Sequence, residues 1–263
     1  MTTATRRRTR RIIERGHTFH TEPLEVPGIG QRRLHVYLPP GYERDTQRAY
    51  PVAYMFDGQN VFGDEGSFAG GWRMHRVLDG LRARGLQVPI VVGIHHGGPE
   101  RILELTPWHT SSGQEGRANA LLDWIAGDLA GQVRSKLRAL SGPAHTLVGG
   151  SSMGGLTALY AVFRRPDFFG GALAMSPSLW VSGGAIFRYL SVQPLPWRCR
   201  VYMDAGGRER WLQNSGAQLA NLLARRGLEP GQHLMWRADP RGGHHERSWR
   251  RRLPAALRFL LRP

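Results

Sequence analysis

The sequence predicts an α/β protein with a mostly parallel central sheet and helices on both faces. Segments rich in Val, Leu and Ile alternate with longer amphipathic segments along most of the chain. Short apolar runs such as residues 91–94, which read Val-Val-Gly-Ile, suit strands that are buried on both faces. Residues 117–140 have the apolar stripe of a helix lying on a sheet, formed by Leu121, Leu122, Ile125, Leu129 and Val133.

The same alternation gives the order of the elements. We expect strands over residues 33–38, 51–56, 88–94, 144–149, 171–175, 198–204 and 233–238. Between and after them we expect helices over residues 72–84, 117–140, 153–164, 183–190, 211–226 and 246–261. The segment from residue 176 to residue 197 holds only one short helix, so no large cap domain is expected.

The start of the chain differs from the rest. Pro27-Gly28 and the alternation through Leu34, Val36 and Leu38 favour antiparallel strands at the edge of the sheet. Residues 1–17 predict a basic, flexible tail because they are rich in Thr and Arg. No repeat and no long linker divides the remainder, so we expect one domain over residues 18–263.

The composition is that of a soluble globular protein, with 41% hydrophobic and 21% charged residues among 263. No apolar run approaches the ~20 residues that cross a bilayer. The first 15 residues have no apolar segment of the kind that a secretory signal needs. The expected location is therefore the cytoplasm, without a membrane partner.

The formal net charge of +16 comes almost entirely from arginine, because Lys136 is the single lysine. Clusters of arginine at residues 6–11 and 247–252 could attract phosphate backbones non-specifically. No nucleic-acid-binding motif accompanies them, so no specific nucleic-acid partner is expected.

The histidines and the single cysteine do not follow a metal-binding motif. Neither H-x-H nor H-E-x-x-H occurs, and no Cys/His set has ligand spacing. The sequence therefore predicts neither a catalytic metal nor a cofactor.

Residues 150–154 read Gly-Ser-Ser-Met-Gly, which matches the G-x-S-x-G pattern of a nucleophile elbow. An expected strand runs into the motif and an expected helix leaves it, which is the context that this turn requires. Glycines allow the sharp turn that exposes the central serine. Ser152 is therefore the candidate nucleophile.

A serine hydroxyl needs a base, and the base needs an acid that orients it. His244 follows the last expected strand and two glycines, which makes it the candidate base, with neighbouring His245 as the alternative. Two carboxylates compete for the role of acid. Asp204 ends the strand before, whereas Glu209 lies in the loop beyond it, and we favour Glu209.

An acyl-transfer site also needs two N–H donors for the oxyanion. The backbone amide of Met153 lies at the start of the helix after the elbow, where the helix dipole favours negative charge. The second donor is expected from the loop at residues 57–60, Asp-Gly-Gln-Asn, and the amide of Gln59 is the candidate.

Several blocks in this order resemble the esterase D-like and enterochelin-esterase-like family of α/β-hydrolases. They are residues 36–42, 55–60, 91–94, 101–107, 150–155 and 176–180, followed by His244 with Trp249. The resemblance implies an α/β-hydrolase fold and a serine carboxylic-ester hydrolase. By it, Ser152 is the nucleophile, His244 the base and Glu209 the acid, and Gln59 and Met153 supply the oxyanion donors.

The resemblance further implies a small-molecule ester or thioester as substrate, such as an acylated sugar or a siderophore lactone. Aromatic residues expected near the mouth of the site are Phe62, Trp72, Trp108 and Trp180. Arg101 and Glu104 are expected to form a buried ion pair that shapes the pocket. Two alternatives stay open, namely acyl transfer to an alcohol by the same triad and a non-catalytic basic binding module.

Overall fold

The centre of the protein is an eight-stranded sheet. The computed structural model describes residues 13–67, 69–110, 112–196 and 198–262. Along the sheet the strand order is β1-β4-β6-β5-β7-β8-β9-β10. The bounds are β1 His17–His20, β2 Leu24–Val26, β3 Gly30–Arg32, β4 Leu34–Leu38, β5 Val52–Phe56, β6 Ile90–Ile94, β7 Thr146–Ser151, β8 Gly171–Met175, β9 Arg200–Gly206 and β10 Leu234–Asp239.

Strand directions divide the sheet into two parts. β4 pairs antiparallel with both β1 and β6 at one edge, and all the other pairs in this sheet are parallel. The predicted α/β-hydrolase fold, with a mostly parallel sheet and antiparallel N-terminal edge strands, is confirmed. β2 and β3 form a separate two-stranded hairpin around the Pro27-Gly28 turn.

Helices cover both faces of the sheet, and each face has its own apolar core. The helices are α1 Gly58–Val61, α2 Met74–Arg82, α3 Arg101–Glu104, α4 Ala118–Trp124, α5 Ala130–Lys136, α6 Met153–Arg164, α7 Val181–Val192, α8 Arg210–Arg225 and α9 Glu246–Leu260. Side chains of α1, α2 and α9 pack on one face. Those of α4 to α8 pack on the other face, in a larger cluster.

The segment predicted as one helix over residues 117–140 is divided in the structure. α4 and α5 are joined by a π-helical turn at Ile125–Leu129, and the helix ends at Lys136 instead of residue 140. The end comes early because Leu137 is extended and Ala139 forms a β-bridge with Tyr50. The predicted stripe is correct, since all five of its residues are buried.

The N-terminal prediction is tested only in part. Residues 1–12 of the predicted tail lie outside the described residues. His17, at the end of that predicted tail, is already in β1, which pairs with β4 at the edge of the sheet.

Among the described residues, no large insertion interrupts the parallel part of the sheet. β8 leads directly through α7 to β9, so the carboxyl ends of β7, β8 and β9 are not covered by a cap domain. Within the described ranges, no helix has the length and apolar character that crossing a membrane would need.

Candidate active site

The Gly-Ser-Ser-Met-Gly motif forms a strained turn between β7 and α6. Ser152 has φ 56° and ψ −118°, a conformation that is rare for a residue other than glycine. The turn is tight because a Cβ atom on Gly150 would lie 2.8 Å from the carbonyl carbon of Gly154. Backbone strain of this kind is maintained by the surrounding structure and is concentrated at functional sites.

Glu209 and His244 lie side by side at the carboxyl ends of β9 and β10. The Nδ1 atom of His244 is 2.6 Å from Oε1 of Glu209. The imidazole packs edge-on against the indole of Trp249, with ring centroids 5.1 Å apart. The His244 side chain is 45% exposed, so one side of the ring faces the open part of the site.

The second oxygen of Glu209 is held by the protein interior. Its Oε2 accepts hydrogen bonds from the amide of Gly206 at 2.6 Å and from the hydroxyl of Ser176 at 3.0 Å. Burial raises the pKa of the Glu209 carboxyl, but these hydrogen bonds and the one to His244 outweigh it, so the pKa lies below its ordinary value. The carboxyl is therefore ionised and fixed in orientation.

Asp204, the alternative acid, has different partners. Its side chain is completely buried, accepts hydrogen bonds from the amide of Ser176 and the hydroxyl of Tyr202, and pairs with Arg252 at 2.9 Å. Burial raises the pKa of this carboxyl, although Arg252 and the hydrogen bonds act in the opposite direction. Of the two carboxylates, Glu209 is thus the one that contacts His244.

His245, the alternative base, lies outward from this pair. It precedes α9 as the N-cap residue, and its Nε2 atom is 3.1 Å from the hydroxyl of Ser248. The imidazole that contacts a carboxylate is that of His244.

The hydroxyl of Ser152 is directed at a second serine. Its Oγ atom lies 3.1 Å from Oγ of Ser178, and the Ser178 amide donates to the Ser152 carbonyl at 2.9 Å. Within the described part of the chain, the Ser152 hydroxyl forms no hydrogen bond with His244. The elbow nevertheless adjoins the acid, because the Ser152 amide donates to Met175, whose neighbour Ser176 holds Glu209.

The ion pairs around the loop after β5 differ from the expectation. Asp57 has φ 55° and binds Arg101 through two hydrogen bonds of 2.5 and 2.7 Å. Glu104 pairs instead with Arg32. The prediction of an Arg101–Glu104 pair is wrong, because Asp57 lies closer to the guanidinium and fixes this loop.

The two candidate oxyanion donors both lie at helix starts. Gln59 is the second residue of α1 and Met153 the first residue of α6. Amides in the first turn of a helix have no acceptor within that helix. Gly58 brings α1 against the sheet, since a Cβ there would lie 2.4 Å from the carbonyl carbon of Gly93.

The profile of the family described as "Putative esterase" matches residues 29–260. The chain belongs to this family. Carboxylic-ester hydrolysis is accordingly its class of reaction, and the site described above is the candidate for that chemistry.

The matches to individual relatives cover most of the chain. A protein of Bacillus subtilis (strain 168), "Uncharacterized protein YbbA", is 25% identical over 246 residues, which cover 88% of this chain and 93% of that protein. An IroE-like serine hydrolase from Shewanella oneidensis has a TM-score of 0.73 at 24% identity, covering 94% of this chain and 80% of the other.

Two further solved structures have the same fold. A ferulic acid esterase has a TM-score of 0.73 at 19% identity, with 94% of this chain and 97% of that chain covered. The siderophore hydrolase EstA from Aspergillus nidulans has a TM-score of 0.70 at 18% identity, with 96% and 97% covered. At these identities the likeness shows the fold alone.

Two of the four aromatic residues expected at the mouth of the esterase site are buried in the interior. Phe62 and Trp72 are each 1% exposed, so the prediction that they contact substrate is wrong. Phe62 packs against His35, and Trp72 packs 6.0 Å from Trp249, which itself supports His244. Trp108 packs against Tyr160 and Tyr189.

Trp180 differs from these three because 62% of its surface is exposed. It directly precedes α7, in the segment that follows Ser178. Trp211, which was not predicted, is 51% exposed and lies two residues after Glu209. These two indoles lie on the connections that follow β8 and β9.

Sequence reasoning missed the residues that hold the acid. The Ser176 hydroxyl donates to Glu209 and accepts from Nε1 of Trp249 at 3.0 Å and from Nη2 of Arg252 at 2.8 Å. The Ser-Pro-Ser stretch at 176–178 and Trp249 were visible in the sequence only as part of the family resemblance. Arg252 gave no signal, because it lies within an arginine-rich segment that reads as surface.

Proposed function

We propose that this esterase hydrolyses carboxylic esters or thioesters through an acyl-enzyme formed on Ser152. The observation that carries the proposal is the 2.6 Å contact between His244 and Glu209 beside a strained serine turn. A base oriented by a carboxylate, next to a strained turn that holds a serine, is the arrangement that activates a serine hydroxyl.

The contact with Glu209 sets the tautomer of His244. An ionised carboxylate can only accept, so the Nδ1 atom carries the proton and donates to Oε1 of Glu209. Nε2 is then left with a free lone pair. That atom is the proposed general base, and the carboxylate stabilises the imidazolium once it forms.

The proposed first half-reaction begins with the serine hydroxyl. Ser152 Oγ leaves its contact with Ser178, gives its proton to Nε2 of His244 and attacks the carbonyl carbon of the ester. Catalytic hydrogen bonds are often not formed in a resting site and tighten when substrate binds. The amides of Met153 and Gln59 donate to the oxyanion, which forms as the carbonyl π bond breaks.

Collapse of the tetrahedral intermediate breaks the bond to the leaving oxygen or sulfur, which takes the proton from His244. Water then repeats the sequence, giving its proton to His244 and attacking the acyl group on Ser152. The bond between the acyl carbon and Oγ of Ser152 then breaks, His244 returns the proton to Oγ, and the acid is released. The proposed half-reactions use side chains, backbone amides and water.

For the substrate, we propose esters whose acyl or leaving group has an aromatic ring. Trp180 is exposed by 62% in the segment after Ser178, which supports stacking with a flat group. The absence of a cap among the described residues supports a bulky substrate. One structure of the same fold is that of a ferulic acid esterase, and ferulic acid has an aromatic ring.

The test is the rate of p-nitrophenyl acetate hydrolysis by the Ser152→Ala variant. We expect kcat to fall by at least about 10³-fold, because removing the nucleophile leaves only binding and the oxyanion donors. Ser191→Ala is the matched control, since Ser191 is an exposed serine on α7, and its rate should equal the wild-type rate. Wild-type turnover by a correctly folded Ser152→Ala variant would reject the mechanism.

A panel of substrates then tests the substrate class. It compares acetyl and longer alkyl esters with hydroxycinnamoyl esters, a thioester and a siderophore lactone. We expect the highest kcat/KM for the substrates with an aromatic ring. Equal or higher values for plain alkyl esters would reject the aromatic class and leave the serine mechanism standing.

A further inference from the structure

Three histidines from different parts of the sequence meet at the antiparallel edge of the sheet. His20 of β1 pairs directly with His35 of β4, and His35 pairs with Gly93 of β6. His95 follows two residues after Gly93, and its amide donates to the carbonyl of Arg33 at 3.1 Å. Paired residues, and residues two apart on a strand, have side chains on the same face of a sheet.

The three imidazoles are close enough to share a ligand. One ring nitrogen from each lies within 4.8 Å of the other two. The ring centroids of His20 and His35 are 3.9 Å apart, and those of His20 and His95 are 5.7 Å apart. We name this group, His20, His35 and His95, the edge histidine cluster.

One member of the cluster has an unsatisfied nitrogen. Nε2 of His95 is buried and has no hydrogen-bond partner among the described residues. Buried polar side-chain atoms are nearly always paired, so an unpaired imidazole nitrogen beside two other imidazoles needs an explanation. Coordination of a cation would provide its partner.

We propose that the edge histidine cluster binds a divalent transition-metal ion of the Zn²⁺ type. Three imidazole donors suit Zn²⁺ and its neighbours, whereas Mg²⁺ and Ca²⁺ prefer oxygen ligands. Bonds of about 2.0–2.1 Å in tetrahedral geometry put ligand nitrogens roughly 3.3 Å apart, so the cluster must contract by up to about 1.5 Å. His20 is exposed on an edge strand and can supply that movement.

The electrostatic surroundings allow this binding. Burial, followed by the charges of neighbouring histidines, lowers the pKa of both His35 and His95 to about 4, so both rings are neutral at pH 7, as metal ligands must be. The positive charge nearest to His95 outside the histidines is that of Arg33, whose side chain is exposed and screened by water.

The cluster is separate from the proposed ester chemistry. In the sheet, β6 and β5 lie between β4, which contains His35, and β7, which leads to Ser152. His35 packs against Phe62, the residue after α1, with ring centroids 4.5 Å apart. A bound ion would join the edge strand β1 to β4 and to the segment after β6. Its expected effect is therefore stabilisation of the folded state by mass action.

Tag-free protein, titrated with Co²⁺ and separately with Zn²⁺, tests the proposal. We expect one ion per chain, a visible absorption band for bound Co²⁺, and a melting temperature that rises with Zn²⁺. The His20→Gln and His95→Gln variants should each bind at least about 10-fold more weakly, since ligand loss costs no less than loss of an outer-shell partner. His20 is exposed, so the His20→Gln variant keeps the core intact, and circular dichroism checks both variants.

His145→Gln is the matched control, because His145 lies before β7 at the amino end of the parallel strands, and its affinity should equal that of the wild type. Two results would overturn the proposal. One is the absence of stoichiometric binding by either ion. The other is an unchanged affinity in the folded His20→Gln and His95→Gln variants.

Discussion

At the residue scale, Glu209 and Asp204 are two buried carboxylates five positions apart that have different partners and therefore different roles. Glu209 presents one oxygen to His244 and binds the protein interior with the other. Asp204 uses both oxygens within the interior, where Arg252 balances its charge. The sequence alone could favour Glu209 only by its place in the loop after β9, because the path of that loop decides which carboxylate reaches the histidine.

We predict that Glu209→Gln lowers kcat for p-nitrophenyl acetate by about 10²–10⁴-fold with little change in KM. A glutamine at this position no longer fixes the tautomer of His244 or stabilises its charged form. Asp204→Asn should instead lower the free energy of unfolding by about 3 kcal/mol, because buried Arg252 loses its 2.9 Å ion pair and keeps only the longer one with Glu209 at 3.9 Å. The measurements are steady-state kinetics and urea unfolding of both variants.

The pH dependence of the free energy of unfolding independently tests whether Glu209 is ionised and hydrogen-bonded in the folded protein. Its pKa lies below the ordinary value, so its contribution to stability is present above about pH 4.3 and is lost as the pH falls through the pKa in the folded state. The stability difference between wild type and Glu209→Gln should therefore shrink on acidification. A larger loss of kcat in Asp204→Asn than in Glu209→Gln would contradict the assignment of the acid.

Trp180 carries the prediction about substrate class at the same scale. We predict that Trp180→Ala raises KM for a hydroxycinnamoyl ester by about 2- to 10-fold, the effect of losing one aromatic contact, and leaves the kinetics of a plain alkyl ester without an aromatic ring unchanged. Because Trp180 is largely exposed, the stability of the protein should change by less than about 0.5 kcal/mol. If Trp211→Ala shows the effect and Trp180→Ala does not, the aromatic group binds on the other indole.

At the scale of elements, the elbow shows how strand, turn and helix depend on one another. β7 ends at Ser151 and α6 begins at Met153, so Ser152 alone makes the turn. That is possible because glycines at positions 150 and 154 let the two elements touch at the backbone. The sequence predicted α6 within its observed bounds because the motif fixes where the strand must stop.

We predict that Gly150→Ala lowers both the free energy of unfolding, by about 1–3 kcal/mol, and the rate of ester hydrolysis. The added Cβ would lie within 3 Å of the Gly154 backbone, which cannot move without displacing α6. Gly131→Ala is the matched control. Gly131 is inside α5 with nothing within 4 Å of a Cβ, so alanine there should stabilise the protein by up to about 1 kcal/mol.

Urea unfolding and p-nitrophenyl acetate kinetics measure both glycine variants. A Gly150→Ala variant with unchanged stability and activity would mean that the turn has more room than the backbone contacts indicate. No sequence pattern predicted the π-helical turn at Ile125–Leu129, because the four-residue spacing of Ile125, Leu129 and Val133 is also that of an ordinary α-helix.

At the scale of the whole molecule, the parts that the sequence predicted well are those fixed by local patterns. The buried strands, the amphipathic helices and the serine turn each follow from neighbouring residues. The misplaced aromatics, Phe62 and Trp72, were assigned by their position in the chain, and their burial depends on how α2 and α9 pack. The edge histidine cluster was not predicted, because its members come from two strands and the segment after a third and show no metal-binding spacing in the sequence.

The net charge is also a property of the whole molecule, and it bears on the attraction of nucleic acid. Residues 1–12 include five arginines of the +16 total, at positions 6, 7, 8, 10 and 11. We predict that a variant lacking residues 1–12 binds DNA more weakly at low salt and with a shallower salt dependence, because up to about five fewer phosphates are neutralised. Its rate of ester hydrolysis should stay at the wild-type value.

The measurement is fluorescence anisotropy with two unrelated duplexes over a range of salt concentrations, together with p-nitrophenyl acetate kinetics. Both duplexes should bind equally, and binding should disappear as salt rises, because attraction to the phosphate backbone has no sequence preference. A marked preference for one duplex that persists at high salt would contradict this expectation. It would mean that base edges are read by the basic surface, and the esterase would then have a nucleic-acid partner beyond its ester substrate.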